Sequence, residues 1–328
     1  MKHTTTADEF ELIRNIIATG TVQRKDVNLG IGDDCALLTI PADQQLAVSM
    51  DTLVAGRHFI PTAEPDALGH KALAVNLSDL AAMGATPAWA TLSLTLPDAD
   101  TRWQTWLKQF MAGYHALAHQ YQVQLIGGDT TRGPLSITVQ VHGFVPPGQA
   151  LRRDAAQVGD HIYVSGTLGD AGLALCYQKG QYKIAETAQH TINERLNRPT
   201  PRIELGQALT TCAHAAIDIS DGLGAELSHI CQASGVGAII QAQQLPIRPA
   251  VQNYIQHTGD WQLPVSAGDD YELLITAPTT AQKAVQQAAH AASVPLTRIG
   301  QIVAEPSIQM QMPDGRAQPL GNGYNHFC

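Results

Sequence analysis

The sequence contains few of the residues that mark thiolate metal sites or disulfide frameworks. It has five cysteines in 328 residues, and no two of them form a C-x-x-C pair. An odd number of widely spaced cysteines predicts neither a zinc site nor a disulfide framework. We therefore expect small, buried hydrophobic residues at all five positions, Cys35, Cys176, Cys212, Cys231 and Cys328.

Positive charge is also scarce. Lys and Arg number 20 against 29 Asp and Glu, which gives a net charge of −9 and a pI near 5.7. Nucleic-acid binding depends on basic patches, so this balance argues against a nucleic-acid partner. No stretch reaches the length of a membrane span, and charged residues interrupt the first apolar pattern, unlike in a signal peptide. We expect a cytoplasmic protein that does not bind membranes.

The familiar nucleotide-binding and catalytic motifs are missing. There is no G-x-x-x-x-G-K-[ST] phosphate loop, no kinase catalytic loop and no D-F-G signature. The pair Gly30 and Gly32 is a weak signal, more typical of a turn than of a dinucleotide site. A phosphoryl-transfer function would therefore need another architecture.

Instead, the sequence contains aspartates at glycine-rich or small-residue turns over nearly its whole length. Most follow an apolar run that predicts a strand, so we expect their carboxylates at strand ends, where α/β sites form. Two carboxylates about 4 Å apart repel by roughly 4 kcal/mol at an effective dielectric near 20, so a converging cluster needs cations. Mg²⁺ suits oxygen ligands and substrate phosphates best. These aspartates are Asp33, Asp34, Asp51, Asp79, Asp129, Asp218, Asp221, Asp269 and Asp270.

Helix and strand patterns in mixed order favour an α+β fold with two mixed α/β domains. Pro146-Pro-Gly-Gln is the best linker, which predicts domains at residues 1–147 and 148–328. A helix is predicted from about Pro65 to Met83 with Asp79 on its apolar stripe. A structural salt bridge is the main rival to a metal role for Asp79, yet no basic residue lies one helical turn away.

The segment from Gly127 to Gly133 reads Gly-Gly-Asp-Thr-Thr-Arg-Gly. We predict a glycine-rich turn in which backbone amides, hydroxyls, a carboxylate and a guanidinium suit a phosphate with its metal. An ordinary polar turn is the alternative.

Taken together, these segments make the sequence similar to the thiamine-monophosphate kinase family, within the superfamily of aminoimidazole ribonucleotide synthetase and selenophosphate synthetase. The resemblance covers almost the whole chain. It includes Leu29-Gly-Ile-Gly-Asp-Asp-Cys-Ala-Leu-Leu, Lys71-Ala-Leu-Ala-Val-Asn-Leu-Ser-Asp-Leu-Ala-Ala-Met-Gly-Ala, Leu125-Ile-Gly-Gly-Asp-Thr-Thr-Arg-Gly, Ile217-Asp-Ile-Ser-Asp-Gly-Leu, Asp270-Tyr-Glu-Leu and Gly323-Tyr-x-His-Phe.

The resemblance implies ATP- and Mg²⁺-dependent phosphorylation of thiamine monophosphate to thiamine diphosphate, with several Mg²⁺ ions. It also implies a homodimer whose N-terminal domains pair around a shared barrel-like sheet. The N-terminal domain would then bind ATP and metal and form the dimer, and the C-terminal domain would complete the active site.

Residue roles also follow from the resemblance. It implies a metal shell of Asp34, Ser49, Met50, Asp51, Asp79, Asp129, Asp218 and Asp221, of which Asp34, Asp51, Asp79 and Asp129 would be catalytic. It implies ATP contacts from Gly128, Asp129, Arg153 and Ser220, and thiamine phosphate contacts from His58, Asp269 and Tyr324. Two positions depart from the family pattern. Met50 replaces a common threonine and could bind metal only through its carbonyl, and Asp269 replaces a common glutamate with a shorter reach.

Alternatives remain open for the function and for single residues. The function could be that of another ATP-using member of the superfamily or of a two-metal phosphohydrolase. A calcium-binding module fits less well, because no EF-hand loop is present. His58 could be an ordinary loop histidine, Tyr324 could pack the C-terminus, and Arg153 could form a solvated pair with Arg152.

Overall fold

The computed structural model describes residues 8–321, 323 and 324. Contacts divide the chain into two compact units. Unit 1 contains the residues up to Leu80 together with Thr86–Pro147, and unit 2 contains Ala81–Ala85 and the residues from Gly148 onward. Both units mix helices and sheets, as the α+β prediction requires.

Unit 1 is built on a four-stranded sheet. Its elements are α1 (Glu9–Leu12) with a π-helical continuation (Ile13–Ile17), β1 (Val27–Leu29), β2 (Leu37–Leu38), β3 (Gln45–Val54), α2 (Pro65–Ala82, the last two residues belonging to unit 2), β4 (Thr86–Leu96), α3 (Thr101–Gln120), β5 (Gln124–Arg132) and β6 (Ser136–Val145). The sheet order is β3-β6-β4-β5, with β4 and β5 parallel and the other pairs antiparallel. β1 and β2 form a separate antiparallel pair.

Local sequence explains how the helices of unit 1 begin. α1 starts with a capping box formed by Asp8 and Glu11. Asp100 caps α3 by accepting a hydrogen bond from the backbone N–H of Trp103. The apolar face of α3 is buried, and the Trp106 and Phe110 rings stack with centroids 5.2 Å apart. The aromatic residues of this helix therefore lie largely in the core.

Two predictions about the strands of unit 1 were wrong. Asp51 and Asp129 lie within β3 and β5 rather than at strand ends. The predicted glycine-rich turn after Ile126 is instead the second half of β5, which continues to Arg132 beside β4. A Cβ on Gly128, whose φ is +149°, would lie 1.8 Å from the carbonyl oxygen of Leu92. Glycine therefore lets the strand continue against β4, so it does not mark a turn here.

Unit 2 is built on a seven-stranded sheet with helices. Its elements after the linker are β7 (His161–Ser165), α4 (Asp170–Gln178), α5 (Glu186–Asn197), α6 (Ile203–Leu209), β8 (Ala215–Asp218), α7 (Leu223–Ser234), β9 (Gly237–Gln241), α8 (Pro249–Thr258), α9 (Leu263–Ser266), β10 (Leu273–Ala277), α10 (Gln282–Ala291), β11 (Leu296–Val303), β12 (Ile308–Gln311) and β13 (Ala317–Pro319). Short 3-10 segments occupy Arg153–Ala155, Ala242–Gln244 and Thr279–Ala281.

The sheet order in unit 2 is β13-β12-β9-β11-β7-β10-β8, and only the β12–β9 pair among these is parallel. Alternate residues of β7 and β9, such as Ile162, Val164 and Ile240, enter one apolar core with Leu227 of α7. This packing fixes the start of α7 and the end of β8, where several predicted site residues lie.

The cysteine prediction was right only in part. Cys231 is buried, Cys176 and Cys212 are half-buried, and Cys35 is exposed. Cys35 directly follows the Asp33-Asp34 turn, which does not enter a core. Cys328 lies outside the described residues, as do His326 and Phe327 of the C-terminal motif.

None of the helices within the described ranges is long and apolar enough to cross a membrane.

Candidate active site

In unit 1, β3 and α2 bring three of the predicted oxygen ligands close together. The Ser49 hydroxyl donates a 2.5 Å hydrogen bond to Oδ2 of Asp79, and the backbone N–H of Asp51 donates to Oδ1 of Asn76 at 2.9 Å. Asn76 in turn donates to the carbonyl of Ala72 at 2.9 Å, which fixes its orientation on the helix. Asp79 is half-buried in a stretch of α2 whose neighbours are buried. β3 and α2 therefore present hydroxyl and carboxylate oxygens to each other.

The side chain of Met50 lies on the other face of β3. Side chains alternate along a strand, so Met50 shares its face with Leu46 and Val48, opposite Ser49 and Asp51. All three apolar side chains are exposed, and 61% of the Met50 surface is accessible. The backbone carbonyl is thus the one group of Met50 that could join an oxygen-ligand set with its neighbours.

Asp129 lies toward the opposite edge of the same sheet. Cα pairing runs from Asp51 on β3 to Val139 on β6, then to Leu92 on β4 and Gly128 on β5. With neighbouring strands about 4.8 Å apart, this row spans roughly 14 Å. The carboxylates of Asp51 and Asp129 are both exposed, but unit 1 holds them at separate edges of its sheet.

Two other predicted residues of unit 1 lie in turns. Asp34 is exposed between β1 and β2, and its backbone N–H donates to Oδ1 of Asp33 at 2.8 Å. His58 follows β3, and its Nδ1 accepts a 3.0 Å hydrogen bond from the backbone N–H of Val54. That acceptor role assigns the proton of the neutral imidazole to Nε2.

In unit 2, a turn after β8 brings together four predicted residues. The backbone N–H of Asp269 donates to the carbonyl of Ser220 at 2.7 Å, and the N–H of Tyr324 donates to the carbonyl of Asp221 at 3.0 Å. Ser220 and Asp221 were predicted for ATP and metal, and Asp269 and Tyr324 for thiamine phosphate. Asp218 is buried where β8 ends, three residues before Asp221.

The turn that carries Asp269 has an unusual backbone. Gly268, Asp269 and Tyr271 have φ values of +73°, +63° and +48°. A Cβ on Gly268 would lie 2.5 Å from the carbonyl oxygen of Ser220, so only glycine allows this approach. Non-glycine residues with positive φ cost free energy and cluster at functional sites, so the turn is held in place by its surroundings.

Glu226 is a site residue that the sequence analysis missed. Its Oε1 accepts hydrogen bonds from the backbone N–H of Asp221 at 3.0 Å and from the Ser220 hydroxyl at 3.4 Å. Burial raises its pKa to about 7, since only 3% of the residue is exposed. The signal in the sequence was a carboxylate in the first turn of the helix that follows the Asp218–Asp221 turn.

Two buried carboxylates, those of Asp270 and Glu272, follow Asp269 in the chain. Both carboxylate oxygens of Asp270 accept hydrogen bonds from the backbone N–H of Gly169, at 3.0 and 3.2 Å, and burial raises the pKa of Asp270 well above its usual value. Glu272 has no exposed side-chain surface and forms ion pairs with Arg195 and Arg202. The motif Asp270-Tyr-Glu-Leu does not by itself indicate these partners, which lie far away in the chain.

Arg153 lies in the 3-10 segment Arg153–Ala155, which packs against α7 and β8. Its carbonyl accepts a 2.8 Å hydrogen bond from the Ser234 hydroxyl, and its side chain is exposed. Arg152 pairs with Asp154 at 2.9 Å. Both arginines are exposed, so the alternative of a solvated pair stays open beside the role in binding ATP.

The predicted ligands of unit 1 are chemically suited to Mg²⁺. Ser49, Asp51 and Asp79 offer hard oxygen atoms only, and the Met50 sulfur lies on the opposite face of β3. Across residues 8–321, 323 and 324, no three His, Cys, Asp or Glu side chains converge to hold a metal ion. The donor set therefore fits the ion.

Comparison with known proteins decides the family. Residues 32–145 match the N-terminal domain of AIR synthase related proteins, and residues 157–313 match the C-terminal domain. The chain is 49% identical to the thiamine-monophosphate kinase of Escherichia coli K12, over 98% of both chains. It is 34% identical to that of Bacillus subtilis 168, over 98% of this chain and 99% of the other. The chain belongs to the thiamine-monophosphate kinase family.

Solved structures agree with this family. The crystal structure of thiamine-monophosphate kinase from Stenotrophomonas maltophilia K279a matches with a TM-score of 0.85 and 48% identity, over 94% of this chain and 98% of that one. AaThiL complexed with AMPPCP and TMP matches with a TM-score of 0.77 and 27% identity, over 97% and 94%. The hydrogenase maturation protein HypE of E. coli shares the fold with a TM-score of 0.79, over 97% and 98%, but at 22% identity it carries no functional argument.

Proposed function

We propose that the protein transfers the γ-phosphoryl group of ATP to thiamine monophosphate and releases thiamine diphosphate and ADP. The observation that carries this proposal is 49% identity to a thiamine-monophosphate kinase over 98% of both chains. A relative of the same fold is complexed with AMPPCP and TMP, which stand for the two substrates. We further propose that the reaction takes place in the cytoplasm.

The chemistry suits a site that lacks an obvious general base. The acceptor is a phosphate monoester whose second pKa lies near 6, so at pH 7 it is mostly a nucleophilic dianion. Phosphoryl transfer passes through a loose transition state and needs positioning and charge neutralisation more than covalent help. Direct in-line transfer without a phosphoenzyme follows, and the task left for the protein is to bring two anions together.

Aspartates are the groups that we propose for this task. When bound, Mg²⁺ would supply the positive charge that neutralises the phosphate groups. Ser49, Asp51, Asp79 and the carbonyl of Met50 would hold it in unit 1. The remaining proposed ligands are Asp34, Asp129, Asp218 and Asp221. Asp51 and Asp129 are exposed, which suits Mg²⁺, since this ion usually binds through one or two carboxylates and keeps several waters.

Unit 2 supplies residues that we propose for both substrates. Ser220 and Arg153 would contact ATP together with Gly128 and Asp129 of unit 1. Asp269 and Tyr324 would contact thiamine phosphate together with His58. The hydrogen bonds from Asp269 and Tyr324 to the carbonyls of Ser220 and Asp221 support these proposed roles, because they join the two sets of residues in one turn. Asp269, whose side chain is shorter than that of the glutamate common in the family, has a positive φ, a backbone conformation that is uncommon for residues other than glycine.

We also propose that two copies pair through unit 1 around a shared barrel-like sheet. The sheet is open in the described chain, with β3 and β5 as its edges. β3 exposes a row of apolar side chains on one face, Leu46, Val48 and Met50, with exposures of 39%, 50% and 61%. Exposed apolar edge strands pair with another chain unless they are protected, so this strand supports an interface between copies.

The dimer proposal predicts that Val48→Asp produces a monomer. A charge in the centre of the apolar row would have to be buried without a partner, which is costly in an interface. Analytical ultracentrifugation should show the wild-type protein as a dimer and the variant at half its mass. Val158→Asp is the matched control, since Val158 is 58% exposed in unit 2. A dimeric Val48→Asp protein would exclude β3 from the interface.

The proposed reaction predicts strong selectivity for thiamine monophosphate over thiamine. The hydroxyl of free thiamine is not ionised and would need a general base, a contribution of about 10²–10⁴-fold that the committed aspartates cannot make. ADP release in a coupled assay with Mg²⁺ should therefore be at least about 10²-fold slower with thiamine than with thiamine monophosphate.

The same assay separates the alternatives. ADP formation that does not depend on thiamine monophosphate would indicate a phosphohydrolase. If no ADP forms in the presence of thiamine monophosphate, the function would be that of another ATP-using member of the superfamily.

A further inference from the structure

Glu226 occupies a buried position, where a carboxylate lowers the stability of the folded protein. It lies in the first turn of α7 with 3% of its surface exposed, and its Oε2 has no hydrogen-bond partner within the described structure. Burying a polar group without full hydrogen bonding destabilises a protein, and an apolar side chain of the same size would avoid that cost. The two hydrogen bonds made by Oε1 therefore need an explanation other than stability.

Those two hydrogen bonds reach the turn that carries the proposed nucleotide residues. Oε1 accepts from the backbone N–H of Asp221 at 3.0 Å and from the hydroxyl of Ser220 at 3.4 Å. The first bond fixes the peptide plane before Asp221 and hence the direction in which its carboxylate leaves the chain. The second orients the Ser220 hydroxyl. Glu226 thus acts on the amide side of the turn.

The carbonyl side of the same turn is held by different residues. Asp269 donates to the Ser220 carbonyl and Tyr324 donates to the Asp221 carbonyl. These bonds do not involve Glu226. Without the Glu226 carboxylate, Ser220 and Asp221 would therefore lose the orientation in which they face ATP and metal. The hydrogen bonds of Asp269 and Tyr324 to the turn would remain.

We infer that Glu226 is a positioning residue for the nucleotide: it holds Ser220 and Asp221 in the orientation that binds ATP with its metal. This inference rests on the proposed function. It predicts an effect that is asymmetric between the two substrates, because the two sides of the turn are anchored separately.

Glu226→Met tests the inference most directly. Methionine fills nearly the same volume and removes the acceptor, so the core around α7 should remain filled. We expect the KM for ATP to rise about tenfold, a size typical of removing a residue that orients a ligand group. The KM for thiamine monophosphate should change less than about twofold. Calorimetry with Mg²⁺ and AMPPCP alone should show the same tenfold loss, independently of turnover.

Two further variants complete the test. Glu226→Gln keeps an acceptor oxygen for the Asp221 N–H, so its KM for ATP should lie closer to the wild-type value than that of Glu226→Met. Glu204→Ala removes an exposed glutamate from α6 of the same unit and should change neither constant.

The possible outcomes separate this inference from the proposed function. If wild-type protein forms ADP with thiamine monophosphate and Glu226→Met raises neither the KM for ATP nor the Kd for AMPPCP, only the role of Glu226 is overturned. Equal increases in both KM values would indicate general loosening and also overturn it. Wild-type protein that forms no ADP with thiamine monophosphate overturns both. If Glu226→Met does not fold, Glu226→Gln must raise the Kd for AMPPCP measurably, and an unchanged Kd rejects the inference.

Discussion

Asp51→Asn and Asp129→Asn are each expected to lower turnover by about 10²-fold or more at saturating Mg²⁺. Both carboxylates are exposed within strands, so neither contributes to a core. Their proposed task is to hold metal and thereby neutralise the charge that two phosphate groups bring together. Asparagine keeps the size and one oxygen but lacks the charge, so the fold should survive while metal and substrate binding fail.

Thermal melting separates an effect of these substitutions on metal binding from an effect on the stability of the fold. Without metal, each variant should melt close to the wild-type temperature, because both side chains are exposed and neither contributes to a core. Added Mg²⁺ should raise the wild-type melting temperature through binding to the native state, and raise that of the variants less. Asp43→Asn is the matched control, since Asp43 is an exposed aspartate of unit 1 with φ +58°, which asparagine tolerates. Near-normal turnover in either site variant would reject the metal assignment.

Glu272→Ala is expected to lower the free energy of unfolding of unit 2 by about 3–5 kcal/mol. The Glu272 side chain has no exposed surface and receives two hydrogen bonds from Arg202, at 2.5 and 2.7 Å, one from Arg195 at 2.5 Å and one from Ser165 at 2.5 Å. The two guanidinium groups are only 13% and 15% exposed. Removing the carboxylate would leave two positive charges largely buried without their shared partner.

Urea denaturation followed by tryptophan fluorescence measures this effect. Trp261 lies in unit 2 next to its core and reports on that unit. Asp314→Ala is the control, because the Asp314–Arg316 pair at 2.7 Å is exposed on both sides and exposed pairs contribute little. A Glu272→Ala midpoint equal to that of the control would show that the buried ion pairs do not stabilise the unit.

Much of the fold was predictable because local patterns are strong where helices are long. The helix at Pro65–Ala82 was expected. The second half of β5, from Gly127 to Arg132, was not, because a run containing two glycines, an aspartate and two threonines has the composition of a turn. It is a strand because β4 pairs with it along its length, and Gly128 permits that close approach.

For the candidate site, too, some features were predictable from the sequence and others were not. The sequence alone determined the family, the α+β class and the set of aspartates, since ordered motifs along the chain do not depend on which residues meet in space. Tertiary structure alone decided that Ser49 contacts Asp79, that Asp51 and Asp129 lie at separate edges of one sheet, and that Glu226 holds the Ser220–Asp221 turn. Such contacts join residues distant in the chain or on different faces of an element. Their distances depend on strand order and helix placement, which single-sequence periodicity does not encode.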